Sequence, residues 1–171
     1  VPLDIFEGAI LCLPDDQKLS SIRYLIRNDK HIMVEKPLTF GNKDLLEDIF
    51  EEARQRKIIL YTAYNHRFEP AFVRMRNLIE SGELGSIYSV RMFYGNGTAR
   101  LVRDSEWRDN GPGVLSDLGS HLLDTLNFWF SEFRDDLTQI IENNFENRVS
   151  DHAIVLSTKH RPQIVLEMTL C

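Results

Sequence analysis

The chain has 171 residues, 43% of them hydrophobic and 27% charged, an ordinary globular balance that excludes disorder, collagen-like repeats and a disulfide-dense scaffold. Lys and Arg number 20 against 26 Asp and Glu, a net charge of −6, so nucleic acid is not expected as a partner. No apolar run approaches the ~18 residues that span a bilayer, so no membrane partner is expected either.

Ala9-Ile10-Leu11-Cys12-Leu13 is a continuous apolar run stopped by Pro14, the pattern of a strand buried on both faces of a parallel sheet. Cys12 is therefore expected as a buried, reduced thiol, with a disulfide to the terminal Cys171 as the alternative. Asp15 and Asp16 suit a helix N-terminus, and Leu19, Ile22, Leu25 and Ile26 carry helical spacing over 17–28. Ile32-Met33-Val34 reads as a second strand, ending at Glu35-Lys36-Pro37. A second helix over 42–56 has Leu45, Leu46, Ile49, Phe50 and Ala53 as its apolar stripe, and 58–61 is a third strand leading to Asn65-His66. Strands alternating with helices through short links imply right-handed crossovers and a parallel sheet. Ligands of such sheets bind beyond the carboxyl ends of the strands. Pro14, Glu35-Lys36-Pro37 and Asn65-His66 fall there. Lys36 precedes a proline, which favours extended backbone. It is either a surface lysine beside a turn or one that projects into the ligand crevice.

Residues 70–81 read as a helix with Pro70 in its first turn, 87–94 as a strand, and 100–110, with Trp107-Arg108, as a loop. A long helix is predicted over 114–130, where Asp117, His121 and Asp124 share one face and Leu115, Leu118, Leu122, Leu126 and Trp129 the other. Three readings stand for that polar face: a solvated ion pair, a metal site, or a carboxylate that orients a general-base histidine. No further ligand stands at a matching spacing, so no metal is expected. Gly119 costs ~1 kcal/mol mid-helix relative to Ala, which points to a close approach. Strands over 137–141, 153–158 and 163–170 follow, with a turn at 160–162. The chain thus reads as a parallel α/β part, 1–67, followed by an α+β part, 68–171, with a largely antiparallel open sheet.

The ordered set Ala9–Pro14, Lys30–Leu38 with its Glu-Lys-Pro, Asn65–Phe68, Ser81–Ile87, Trp107-Arg108 and Gly113–Asp124 resembles the Gfo/Idh/MocA oxidoreductases. The resemblance implies an NAD(P)-dependent dehydrogenase or reductase of a sugar, polyol or related compound, with 1–67 as the C-terminal part of a Rossmann-type domain. It implies Lys36, Asp117 and His121 as catalytic. His121 takes the hydroxyl proton, Asp117 holds His121, and Lys36 stabilises the developing alkoxide. Leu13, Pro14, Glu35, Lys36, Pro37, Asn65, Trp107 and Arg108 match cofactor-binding positions, and the Lys36-Pro37 bond is cis in many members. His66, Tyr94, Arg103 and His121 are the substrate candidates; Asn96 and Asp124 lie in the same stretches, Asp124 with a structural alternative in bonding to nearby backbone. The family pattern often has His where this chain has Lys18, and no Gly-x-Gly-x-x-Gly fingerprint occurs. The chain is therefore expected to be the middle of a longer, cytoplasmic enzyme that assembles into homo-oligomers through the open sheet. The alternatives are an NAD-dependent glycosidase of the same family and a non-catalytic assembly module.

Overall fold

The structure, a computed structural model, describes residues 2–39, 41–130, 139–157 and 162–171. They fall into two compact units, Val1–Tyr64 and Asn65–Cys171.

In the first unit, β1 (Gly8–Leu11), β2 (His31–Val34) and β3 (Leu60–Thr62) form a parallel sheet in that order, Ala9 opposite Ile32 and Ile32 opposite Leu60. Helices α1 (Asp15–Arg27) and α2 (Lys43–Gln55) make the crossovers. Asp15 and Asp16 occupy the first turn of α1, and the Asn42 side chain caps α2 by accepting from the Asp44 N–H at 2.9 Å. One apolar layer joins Ile22 and Ile26 of α1, Ile49 and Ala53 of α2, and Ile32 and Val34 of β2.

Two sequence expectations fail in this unit. The first strand is not buried on both faces: Ile10 is 66% exposed, because both helices pack on the face that carries Ile32 and Val34. Cys12 is exposed rather than buried, since β1 ends at Leu11 and Cys12 lies in the connection that follows. Both cysteines are free thiols.

The second unit begins with a 3-10 turn, Asn65–Phe68, followed by α3 (Pro70–Glu80), β4 (Ser89–Gly95) and the short α4 (Ala99–Arg103). A helix then opens with a π turn, Leu115–Gly119, and continues as α5 (Ser120–Trp129). Strands β5 (Gln139–Asn143), β6 (His152–Ser157) and β7 (Gln163–Thr169) complete a sheet of order β4-β7-β6-β5. β4 pairs with β7 in parallel and the other pairings are antiparallel. Val114, Leu118, Leu122 and Leu126 of the long helix meet Val155, Ile164, Leu166 and Met168 of the sheet in one core.

The stretch expected as a loop over 100–110 instead starts as α4, because Ala99 and Val102 are buried in that core. The long predicted helix is present, but its first part is a π turn. A Cβ at Gly119 would sit 2.8 Å from Met168 Sδ, so the glycine marks a close approach of this turn to β7. The fold class is α/β: a parallel three-stranded sheet and a separate mixed sheet. Parts of the predicted strand starts and turns at 137–138, 158 and 160–161 lie outside the described residues. Among the described residues no helix is long and apolar enough to cross a membrane.

Candidate active site

In the first unit the strands deliver three connections to one end of the sheet. The Glu35 N–H donates to Leu11 O at 2.9 Å and the Ala63 N–H to Val34 O at 2.8 Å, so the ladder runs one residue past the strand ends. Leu13 and Pro14 follow β1, with Leu13 half-buried and Pro14 exposed as the residue before α1. Glu35 is exposed, Lys36 and Pro37 are half-buried, and the bond between the last two is cis. A position beyond the carboxyl ends of parallel strands is where open α/β sheets bind ligands. Their open strand-end position leaves Leu13, Pro14, Glu35, Lys36 and Pro37 able to contact a ligand held there, a dinucleotide included. Pyrophosphate binding by a glycine-rich turn is not offered here, since Pro14 occupies the turn into α1.

The second unit gathers a ring cluster. His121, in the first turn of α5, has its ring centroid 4.9 Å from that of His66 and 5.9 Å from that of Tyr94. His66 and Tyr94 are 5.8 Å apart, and Phe72 stacks on His66 at 4.8 Å and 8°. His66 Nδ1 lies 2.7 Å from Glu69 Oε1, which fixes the ring's orientation. Trp129 holds Phe72 in turn, by an Nε1–H bond to Phe72 O at 3.0 Å.

The 65–68 turn is pinned to α5 by charge. Arg67 grips Asp124 in a fork, with Nε 2.8 and 3.0 Å from the two carboxylate oxygens and the second nitrogen 2.6 Å from one of them. Asp124 is 8% exposed, so it does not sit on a solvated face with Asp117 and His121. Its carboxylate meets a guanidinium 57 residues away in sequence.

Asp117 lies on the π turn, with Arg108 3.5 Å from its carboxylate. π turns inside α-helices recur at functional sites. The Thr125 hydroxyl donates to His121 O at 2.8 Å, inside the same helix.

Of the expected substrate residues, His66, Tyr94 and His121 are brought together. Arg103 is exposed and faces Glu146 at 3.7 Å instead. Among the expected cofactor residues, Arg108 reaches Asp117, Trp107 is 73% exposed and Asn65 is exposed at the start of the 3-10 turn. Asn96 is engaged locally, accepting from the Thr98 hydroxyl at 2.8 Å. Among the described residues no group of three or more His, Cys, Asp and Glu is placed to hold a metal ion.

Two neighbours of the ring cluster were not singled out by sequence reasoning. Phe72 looked like one more apolar residue on the face of α3. Glu69 stands three residues after His66, a spacing that could have signalled the pair. Lys18, visible as a departure from a family pattern, is buried. Two surface hollows lie elsewhere, one along α1 from Asp16 to Asn28 and one beside Gly111-Pro112, and neither is lined by the ring cluster.

The sequence pattern of the GFO/IDH/MocA C-terminal domain matches residues 72–166, more than half of the chain. The chain belongs to this family. Family relatives agree over nearly its full length. It is 24% identical over 172 residues to glucose-6-phosphate 3-dehydrogenase of Bacillus subtilis, covering 96% of this chain and 46% of that protein. It is 26% identical over 150 residues to trans-1,2-dihydrobenzene-1,2-diol dehydrogenase of Oryctolagus cuniculus, covering 88% and 45%. Among solved structures, an inositol dehydrogenase homolog from Azotobacter vinelandii complexed with NAD+ shares the fold, with a TM-score of 0.87 and 23% identity over 98% of this chain and 46% of that one. The chain thus spans less than half the length of these relatives.

Proposed function

We propose that the chain carries the reacting residues of an NAD(P)-dependent oxidoreductase acting on a sugar, polyol or related hydroxy or keto compound. The observation that carries the reading is the placement of His121 beside His66 and Tyr94, with His121 and Tyr94 inside the stretch that the family pattern matches. The named activities of the relatives support it: a sugar-phosphate dehydrogenase, a diol dehydrogenase and an inositol dehydrogenase homolog complexed with NAD+.

In the mechanism, His121 is the acid–base. A neutral imidazole accepts the hydroxyl proton as the carbon beneath it is oxidised, and returns it in the reverse direction. Asp117 is assigned to orienting that ring, with Arg108 3.5 Å from its carboxylate. His66, locked by Glu69 and stacked on Phe72, presents a polar edge to substrate hydroxyls, and Tyr94 walls the same space. Lys36 is assigned to lowering the cost of the developing alkoxide. Leu13, Pro14, Glu35, Pro37, Asn65, Trp107 and Arg108 are assigned to holding the dinucleotide, which when bound supplies the hydride acceptor or donor.

The open face of the second sheet, with Phe93 65% exposed, is assigned to association between copies of the chain. The two free thiols suit a reducing cytoplasm. The test is NAD(P)H-linked turnover with a panel of sugars and polyols. His121→Ala is expected to lower kcat by about 100- to 10,000-fold. Wild-type kcat in that variant refutes the reading.

A further inference from the structure

Lys18 is 2% exposed, on the second turn of α1, although its side chain ends in a cation. Burial of an ammonium is costly unless each of its donors is met. Here all three N–H groups have oxygens: Asp15 Oδ1 at 2.6 Å, Pro37 O at 2.8 Å and, more distantly, Lys36 O at 3.5 Å. Asp15 stands one turn earlier on the same helix. The other two acceptors are consecutive carbonyls of the turn after β2, 18 and 19 residues on in the chain.

That arrangement is more than a filled core position. A methionine would occupy the same volume beside Ile22 without desolvating a charge. What only a polyvalent donor supplies is a common anchor for two successive peptide carbonyls. Fixing both sets the peptide planes on either side of Pro37, and with them the direction in which the Lys36 side chain leaves the backbone.

We infer that Lys18 is a positioning residue: its ammonium, steadied by Asp15, holds the Lys36 and Pro37 carbonyls so that Lys36 is presented in its reactive orientation. This rests on the role proposed above for Lys36. A displacement of about 1 Å in a reacting group costs on the order of 100-fold in rate, so the anchor is expected to show in turnover.

The experiment compares Lys18→Met, which keeps the methylenes and removes the donors, with Lys18→Gln, which keeps a neutral donor. The control is Ile22→Val, a core change in the same helix away from the turn. In the 15N-labelled protein, Lys18→Met is expected to shift the backbone amides of Lys36 and Leu38 as strongly as those of its α1 neighbours, and Lys18→Gln to recover part of the shift. In the turnover assay kcat is expected to fall about 10- to 100-fold in Lys18→Met, with partial recovery in Lys18→Gln, while KM for the dinucleotide stays within about twofold. Ile22→Val is expected to lower the melting temperature and leave kcat unchanged. Amide shifts confined to α1, or wild-type kcat in Lys18→Met, overturn the proposal. Wild-type kcat in Lys36→Met overturns the role of Lys36 itself, and this proposal with it.

Discussion

Replacing Arg67 by Met would leave the Asp124 carboxylate at 8% exposure with its fork of donors gone. Breaking a buried ion pair from one side costs about 3–5 kcal/mol, because the remaining charge stays desolvated. The Arg67 side chain is itself 36% exposed, so water reaches the pair from one side and the expected loss is about 2–3 kcal/mol. The reverse change, Asp124→Asn, is milder. One oxygen still accepts, and the half-exposed guanidinium turns to solvent or lies over Phe128, whose ring centre is 5.7 Å away. Its expected cost is about 1–2 kcal/mol. Urea unfolding of both single variants and the pair Arg67→Met/Asp124→Leu measures the asymmetry and the coupling. The double variant should lose less than the sum of the singles. Equal losses for the two singles, or additivity in the pair, would refute the view that Asp124 is a buried charge held by Arg67.

Gly119→Ala gains about 1 kcal/mol of helix propensity but places a methyl 2.8 Å from Met168 Sδ and 3.2 Å from Leu115 Cδ1. Overpacking of about 1–3 kcal/mol should outweigh the gain, and a raised urea midpoint would show that no close approach holds this glycine. Asp151 is fully buried; burial pushes its carboxyl up, but the N–H groups of Phe145, Glu146 and Asn147, at 2.8, 2.6 and 3.0 Å, outweigh that and hold it below the ordinary 3.8. A lowered folded-state pKa means that the unfolded chain takes the proton first. The stability Asp151 contributes is therefore complete above about pH 4 and is lost as pH falls toward the folded value. Asp151→Asn should destabilise the protein by about 2 kcal/mol at pH 7 and flatten the acid limb of a stability–pH curve. An unchanged acid limb would count against this carboxylate.

The first unit was legible because its information is local. Leu19, Ile22 and Ile26 repeat at helical spacing, and Pro14 and Asn42 mark where helices begin. An apolar run such as Ala9–Leu13 says that residues tolerate burial, not which of them are covered: Ile10 lies on the face the two helices leave open, and Cys12 lies past the end of β1. In the second unit the order of elements was legible and the π turn was not. Asp117 and His121 stand at a spacing that suits a regular helix, and the contact at Gly119 comes from Met168, 49 residues later. The ring cluster could be named residue by residue, yet its assembly is tertiary: His66, Tyr94 and His121 come from a turn, a strand and a helix. Lys18 shows the sharpest limit. Its pattern in the sequence is that of a solvated helix lysine, and only the carbonyls of Lys36 and Pro37 make its burial tolerable.

The parallel pairing of β4 with β7 has a consequence for how the second unit folds. Ser89 faces Gln163, so the first and last strands of the sheet must meet across a separation of 74 residues. Closing a loop of that length costs about 4 kcal/mol of chain entropy before any ladder bond repays it. The β6–β7 pairing is far more local, with Ser157 opposite Ile164. The order of assembly should follow: β6 and β7 pair first, and β4 joins last along a ready-made edge. On the ribosome, β4 emerges long before its partner strand exists. The strand that carries Tyr94 therefore waits until Gln163–Thr169 has been made before it reaches its place in the sheet, and folding of this unit should be slow for its size.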